Sequence, residues 1–413
     1  MSHALMQPFR ALRPAPGQAA AVAAPPYDVL NTAEARLRAA GRPASFLHIS
    51  KPEIDLPDGT DPYAPVVYAT GAANLRRLID EGVLERDAEP HYYVYRLRMD
   101  NHVQTGIAGV GSVAEYDRNR IRKHEFTRPD KEDDRVRQIT ALNAQTGPVL
   151  LAYRSHAELA RLVATQTEGT PEYDVTADDG VAHTIWVVRD PATITAITRA
   201  FDGMASLYIA DGHHRSASAS RVAAARRADR KTTTGTAAEY FLCVAFPHDQ
   251  MRIFDYNRVV RDLNGLSPAE FLARLAPAFA VAPSATEARP GHPGEFGMYL
   301  GGHWYRLDIK PALIPDDPVA SLDVSLLQQN VLAPILGIGD PRRDKRIDFV
   351  GGIRGLGELE RRVDSGEMAV AFALHPTSLE ALMRVADANE VMPPKSTWFE
   401  PKLADGLLSH VLD

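Results

Sequence analysis

Between residues 148 and 228 short apolar runs alternate with longer amphipathic ones, and few architectures accept that order. The spacing predicts strands over 148–153, 183–188 and 206–210. It predicts helices over 156–166 and 192–201, and a further helix beginning near His213. Strands and helices of these lengths, taken in turn, form a layered α/β fold in which each element buries an apolar face against the next layer. The chain has 413 residues, 45% of them hydrophobic, which is core enough for two or three domains.

The flanks extend this frame. Residues 1–30 are rich in Pro and Ala and read as an extended surface run ahead of Tyr27-Asp28. Helical patterns cover 32–40 and 66–81. A strand over 91–99, a turn at Asp100-Asn101 and a returning strand over 103–113 make a hairpin. Inside that return, Gly109-Val110-Gly111-Ser112-Val113-Ala114 imitates a dinucleotide-binding fingerprint. A hairpin with no strand-to-helix turn after it is the wrong setting for one. A helix is expected over 133–145, and the helix from His213 is expected to end at Lys231, before the polar break 232–235. The segments 240–246 and 251–256 read as adjacent strands. Beyond them the pattern gives a helix over 268–275, a Pro-rich loop and a hairpin of 295–300 with 303–309. A helix over 324–332, strands over 347–350 and 368–374, and a helix over 378–389 complete the chain. The expected domains are an N-terminal α+β region over 1–115, a core over 116–260, and a C-terminal α+β region over 261–413 packed on that core.

Charge and composition narrow the function classes. A net charge of −7 argues against a protein that coats nucleic acid, which needs a basic surface. The lone Cys243 excludes a disulfide framework and a multi-thiolate metal site, and its apolar neighbours make it a buried, inert thiol. No apolar stretch reaches membrane-spanning length and the N-terminus lacks the apolar core of a signal peptide, so a cytoplasmic protein is expected. There is no GxxxxGK[ST] loop, kinase catalytic loop or GxSxG elbow.

The chemistry concentrates in Asp211-Gly212-His213-His214-Arg215, between a buried strand and an Ala-rich helix. Free N–H groups and the positive end of the helix dipole favour an anion there. Gly212 permits close approach to the backbone, Arg215 offers a planar charged fork, and two imidazoles add titratable donors. The plainer reading makes Asp211 a helix cap and the histidines polar surface. Metal ligation by both histidines is a poorer fit, because adjacent residues rarely aim at one ion and no HExxH pair exists, so no dedicated metal site is expected. A second group, Arg122 to Arg135, is a charge run of the sort that usually lies on a solvated face, yet it holds His124 and Glu125. Glu125 is a candidate general base if the fold carries it to the Asp211 loop. The stiff loop 392–402 offers Lys395 and Lys402, with Lys395 favoured for ligand contact and Trp398 and Phe399 for docking. Arg354, in the Gly-rich loop 351–355, is a weaker candidate.

Pro25-Pro26-Tyr27-Asp28, Lys123 to Thr127 with Arg135, Ala210 to Arg215, and Met392 to Lys402 together resemble the domain-of-unknown-function family 1015 (DUF1015), over nearly the whole chain. The core of that family looks like the ParB/sulfiredoxin-like superfamily, above all its free serine kinases. The shared order is His124-Glu125, Arg135, Pro148-Val149-Leu150, then Asp211 to Arg215. The resemblance implies that Gly212, His213, His214 and Arg215 hold nucleotide phosphates and that Glu125 acts as base, with Asp211 and His213 as further catalytic candidates. His124, Arg135, Arg354 and Lys395 are further possible ligand contacts. The expected activity moves a phosphoryl group between a nucleotide or pyrophosphate and a small hydroxyl compound, with serine and phosphoserine favoured. Mg²⁺ bridged by the phosphates and by Asp211 or Glu125 is the expected cofactor. A phosphoserine phosphatase, and a non-catalytic nucleotide- or DNA-associated regulator, stay open as alternatives.

Overall fold

The hairpin of Tyr92–Met99 and His102–Ser112 is covered on both faces, which is why Tyr92, Tyr93, Val94, Tyr95 and Leu97 are all buried. Asp100 turns it with φ +52°. The computed structural model describes residues 4–229 and 236–413. Their chain forms two compact units, one of Met1–Met251 with Pro401–Asp413 and one of Arg252–Glu400.

The first unit is built on a nine-stranded mixed sheet around that hairpin. Tyr92–Met99 pairs antiparallel with Ala182–Val188, and His102–Ser112 pairs antiparallel with Tyr240–Pro247. Tyr240–Pro247 runs parallel to Val149–Tyr153, which pairs antiparallel with Leu207–Asp211. Helices Ala157–Gln166, Pro191–Asp202 and His213–Ala228 supply Leu159, Ile197, Phe201, Ala219 and Ala223 to one core with these strands. The expected α/β alternation is therefore present. The strand Tyr173–Thr176 escaped it because only two residues of that short stretch are buried, in alternation with exposed ones. The helix expected to run to Lys231 is described as far as Ala228, and 230–235 lie outside the described residues.

Several expectations are corrected. The N-terminal run is not a surface strap. Leu5, Met6, Phe9, Ala11 and Leu12 are buried, Met6–Gln7 pairs with the hairpin, and Ala11–Pro14 pairs with Leu84–Arg86 and Ser409–Val411. Pro14 is tolerated because it stands at the end of its strand. A boundary at 115 would cut the nine-stranded sheet, whose pairing of 102–112 with 240–247 crosses it. The strands expected at 240–246 and 251–256 are not neighbours: the second forms only as Ile253–Phe254, which pairs with Trp398–Phe399, while Tyr240–Pro247 pairs within the nine-stranded sheet. The helix expected from 133 begins at Pro129, a residue suited to a first helical position. A five-residue helix, Val113–Asp117, does follow the glycine-rich strand. The glycines nevertheless serve packing. A Cβ on Gly109 would lie 2.8 Å from the Gln7 carbonyl oxygen, and one on Gly106 would lie 2.5 Å from that of Ala245.

The second unit is a six-stranded antiparallel sheet flanked by helices that include Pro268–Leu275, Gly357–Asp364 and Leu379–Asp387. Its strand Phe279–Ser284 falls where a loop was expected. The helix expected over 324–332 forms as Asp323–Leu327 and then widens into a π turn over Gln328–Leu332. No helix among the described residues is long and apolar enough to cross a membrane.

The glycine packing is testable. Gly106→Ala forces a methyl group against backbone and should lower unfolding stability by about 1–3 kcal/mol. Urea denaturation reads this directly, and an unchanged midpoint would show that the strands separate without cost.

Candidate functional site

Leu207–Asp211 delivers its buried residues Leu207 and Ile209 to the core and brings Asp211 to the strand end, where the register shifts between Ile209 and Asp211. Gly212 follows with φ 99° and ψ 28°. A Cβ here would be strained by the positive φ and would sit 3.3 Å from Val149 Cα. The 16-residue helix His213–Ala228 starts at once, and its first N–H groups have no acceptor within the helix. An anion at this end is favoured by those groups and by the helix dipole.

The two adjacent imidazoles do not converge on one point. His213 Nε2 accepts the His124 backbone N–H at 3.4 Å, and His214 Nε2 accepts the Arg128 backbone N–H at 3.0 Å. The loop 124–128 is thereby pinned at both ends to the first turn of the helix. Both rings then carry their proton on Nδ1 when neutral. Between the two anchors stand Glu125 and Phe126, the latter 73% exposed. Glu125 Oε2 lies 3.8 Å from His213 Nδ1, so the carboxylate is beside the helix N-terminus.

Burial decides the charge of these rings. It lowers the pKa of His213 far below the ordinary value, aided by His124 and opposed by Asp211. It pushes His124 down to about 4 and also lowers His214. His124 packs edge-on against His213 with ring centroids 4.5 Å apart. One of its nitrogens faces the Ile209 carbonyl, while its buried Nδ1 has no hydrogen-bond partner among the described residues. The histidines are thus neutral donors near pH 7, and the permanent positive charge comes from elsewhere.

Arg215 supplies it. The guanidinium donates Nη1 to the Pro148 carbonyl and Nη2 to Asp211 Oδ2 at 3.2 Å. Burial alone would weaken its protonation, but Asp211, Asp28, Tyr27 and Asp405 hold it firmly charged. Lys402 Nζ stands 3.6 Å from the same Asp211 oxygen. Burial would raise the Asp211 pKa, yet Lys402, Arg215 and His213 together bring it well below the usual range. Asp211 is ionised and holds two cations, Arg215 and Lys402.

The remaining candidates divide. Arg135 is in the same unit, bound through Nε and Nη2 to Asp134 Oδ2 at 3.0 and 2.7 Å, with its guanidinium 3.9 Å from the Tyr27 ring centre. Much of the charge run is absorbed in packing, as Arg221 holds Glu132 and Asp133. Arg354 and Lys395 belong to the second unit. Arg354 is exposed, and Lys395 Nζ lies 5.5 Å from the Tyr256 ring centre. Of the two lysines in loop 392–402, it is Lys402 that stands beside Asp211. Asp405 gave no signal in the sequence, because Asp405-Gly406 reads as an ordinary turn, yet it is 1% exposed and its Oδ1 has no partner among the described residues. Among the described residues one three-donor group, His292 with Glu295 and Asp308, occurs in the second unit, where Arg306 already binds Glu295 at 2.9 Å.

The profile of a family described as "Protein of unknown function (DUF1015)" matches residues 6–325. A search of curated proteins finds no match. Among solved structures, a free serine kinase in complex with AMP aligns at 14% identity and TM-score 0.34, covering 70% of this chain and 89% of that one. A conserved hypothetical protein from Pyrococcus furiosus aligns at 14% identity and TM-score 0.33, covering 70% and 90%. SbnI with C-terminal truncation from Staphylococcus aureus aligns at 13% identity and TM-score 0.39, covering 72% and 85%. The candidate site therefore stands on its own geometry.

Burial raises the Asp405 pKa to about 7, opposed by Arg215 and Arg135 and reinforced by Asp28. An unfolded aspartate titrates near 4. Between the two values the folded chain holds the extra proton, so this group makes stability fall as pH rises through the window. Asp405→Asn should remove up to about 4 kcal/mol of that fall. Thermal unfolding of both proteins at pH 4.5 and 7.5 checks it, and parallel pH dependences would refute the assignment.

Proposed function

The chain belongs to the family described as Protein of unknown function (DUF1015), and for it we propose a phosphotransferase that moves a phosphoryl group between a nucleotide or pyrophosphate and a small hydroxyl compound, serine and phosphoserine foremost. One observation carries this reading. The double imidazole anchor sets the Glu125 carboxylate beside a helix N-terminus that also holds the Arg215 guanidinium. Phosphoryl transfer asks chiefly for positioning and for neutralised charge, and a base next to an anion cradle supplies both.

In this scheme the terminal phosphate sits at the N–H groups opening the helix, with the neutral Nδ1–H of His213 and His214 as added donors. Arg215 and Lys402 balance its charge. Glu125 takes the proton of the acceptor hydroxyl as the acceptor oxygen bonds to phosphorus. The bond from phosphorus to the bridging oxygen breaks, and the shortened donor departs with that electron pair. Asp211 keeps Arg215 and Lys402 in place through its Oδ2. Half-exposed Glu125 is the carboxylate that could meet a Mg²⁺ arriving on the phosphate oxygens.

The protein should form phosphoserine from serine with Mg²⁺ and ATP, ADP or pyrophosphate, or release phosphate from phosphoserine. Absence of turnover in both directions would sink the enzyme reading, and tight DNA or nucleotide binding alone would then favour a regulator. Glu125→Gln should lower kcat by roughly 10²–10⁴-fold while sparing nucleotide affinity. Arg215→Lys, which keeps the charge but loses the fork, should weaken phosphate-ligand binding by about tenfold or more, read by calorimetry.

A further inference from the structure

Arg215 also lines a second built feature. Tyr27, Ser50, Arg135, Gly147, Arg215 and Asp405 line a cavity of about 30 Å³, or about 470 Å³ of atom-free space when its solvent-open side is included. Two of its polar atoms, Ser50 Oγ and Asp405 Oδ1, are buried without a hydrogen-bond partner among the described residues. Their residues are only 4% and 1% exposed. Leaving such atoms unsatisfied costs about 1–3 kcal/mol each, so a cavity whose lining keeps two of them is arranged for an occupant.

The charges select the occupant. Arg135 commits Nε and Nη2 to Asp134, which leaves Nη1 for a ligand. Arg215 adds a second cation, and the Asp405 carboxyl, which a neighbouring ammonium would hold ionised, lines the same cavity. A simple cation would face two guanidinium groups, and a simple anion would face the carboxylate. A molecule with both signs meets partners for each. Gly147 keeps the space open, since a Cβ there would touch Asp405 Oδ1 and Arg215 Cδ at 3.4 Å.

We propose that this cavity binds the ammonium and carboxylate groups of a small α-amino acid, with Asp405 and Ser50 receiving the ammonium and Arg135 the carboxylate. The ammonium has the size of a water and takes the enclosed position, while the side chain faces the open side. Arg215 would then be shared between the amino acid and the phosphate. The link to phosphoryl transfer rests on the function proposed above, but binding in the cavity does not.

Calorimetry on the full chain without nucleotide tests it, with L-serine, glycolate and ethanolamine as probes. Glycolate lacks the ammonium and ethanolamine lacks the carboxylate. L-Serine should bind at least tenfold more tightly than either, and Asp405→Asn and Ser50→Ala should each weaken it by a similar factor. Circular dichroism and unfolding temperature establish that the variants fold. Should Asp405→Asn fold poorly, Ser50→Ala and Gly147→Ala, which places a methyl against Asp405 Oδ1, carry the test. No L-serine binding, equal binding of all three probes, or full binding in the folded variants would overturn the proposal. Failure here with phosphoryl transfer to another hydroxyl compound would leave the proposed activity standing. Serine binding without turnover in either direction would do the reverse.

Discussion

Arg215 joins the features on which the first unit's chemistry depends. A guanidinium this deeply buried is retained only where its donors are satisfied and its charge is balanced. The Pro148 carbonyl and the Asp211 carboxylate do the first, and Asp211, Asp28 and Asp405 do the second. Pro148 precedes one strand and Asp211 ends its neighbour, so the side chain ties the ends of two paired strands together. It binds Asp211 at the helix start and also lines the Asp405 cavity.

Next to it, two histidines in sequence do work that one could not. Successive residues at a helix start point in different directions, which disfavours a shared metal ion but suits two separate anchors. His213 and His214 accept N–H groups four residues apart on the loop 124–128. Fixing both ends limits the motion of Glu125, which an exposed carboxylate on a free loop would not share. The arrangement also keeps the imidazoles neutral, since burial penalises their charged forms and their Nε2 lone pairs are occupied. The positive character of the site therefore comes from Arg215, Lys402 and the helix end.

Legibility in the sequence followed the range of the interactions. Elements set by local periodicity, such as Pro268–Leu275 with its Ser267–Glu270 capping box, were readable to the residue. Met6–Gln7 and Ala11–Pro14 were not, because a two- or four-residue strand in a Pro-rich run has too few alternations to register, and its stability comes from distant partners. Residues 240–246 and 251–256 both read as strands, but their apolar patterns could not say that they belong to different sheets. In the loop 392–402 the sequence favoured Lys395 for ligand contact, and only the fold put Lys402 beside Asp211.

The sequence by itself determined that Asp211 to Arg215 stands at a strand-to-helix junction, that Gly212 permits its tight turn, and that the helix end suits an anion. Each follows from neighbouring residues and backbone geometry. The tertiary structure alone decided that Glu125 meets His213, that the two imidazoles accept N–H groups at the two ends of the loop 124–128, and that Asp405 lines a cavity with Arg135 and Arg215. Those contacts join residues far apart in the chain, some 86 and 89 positions for the two anchors. They form only where strand pairing and burial bring distant segments into register, and no local pattern encodes that outcome.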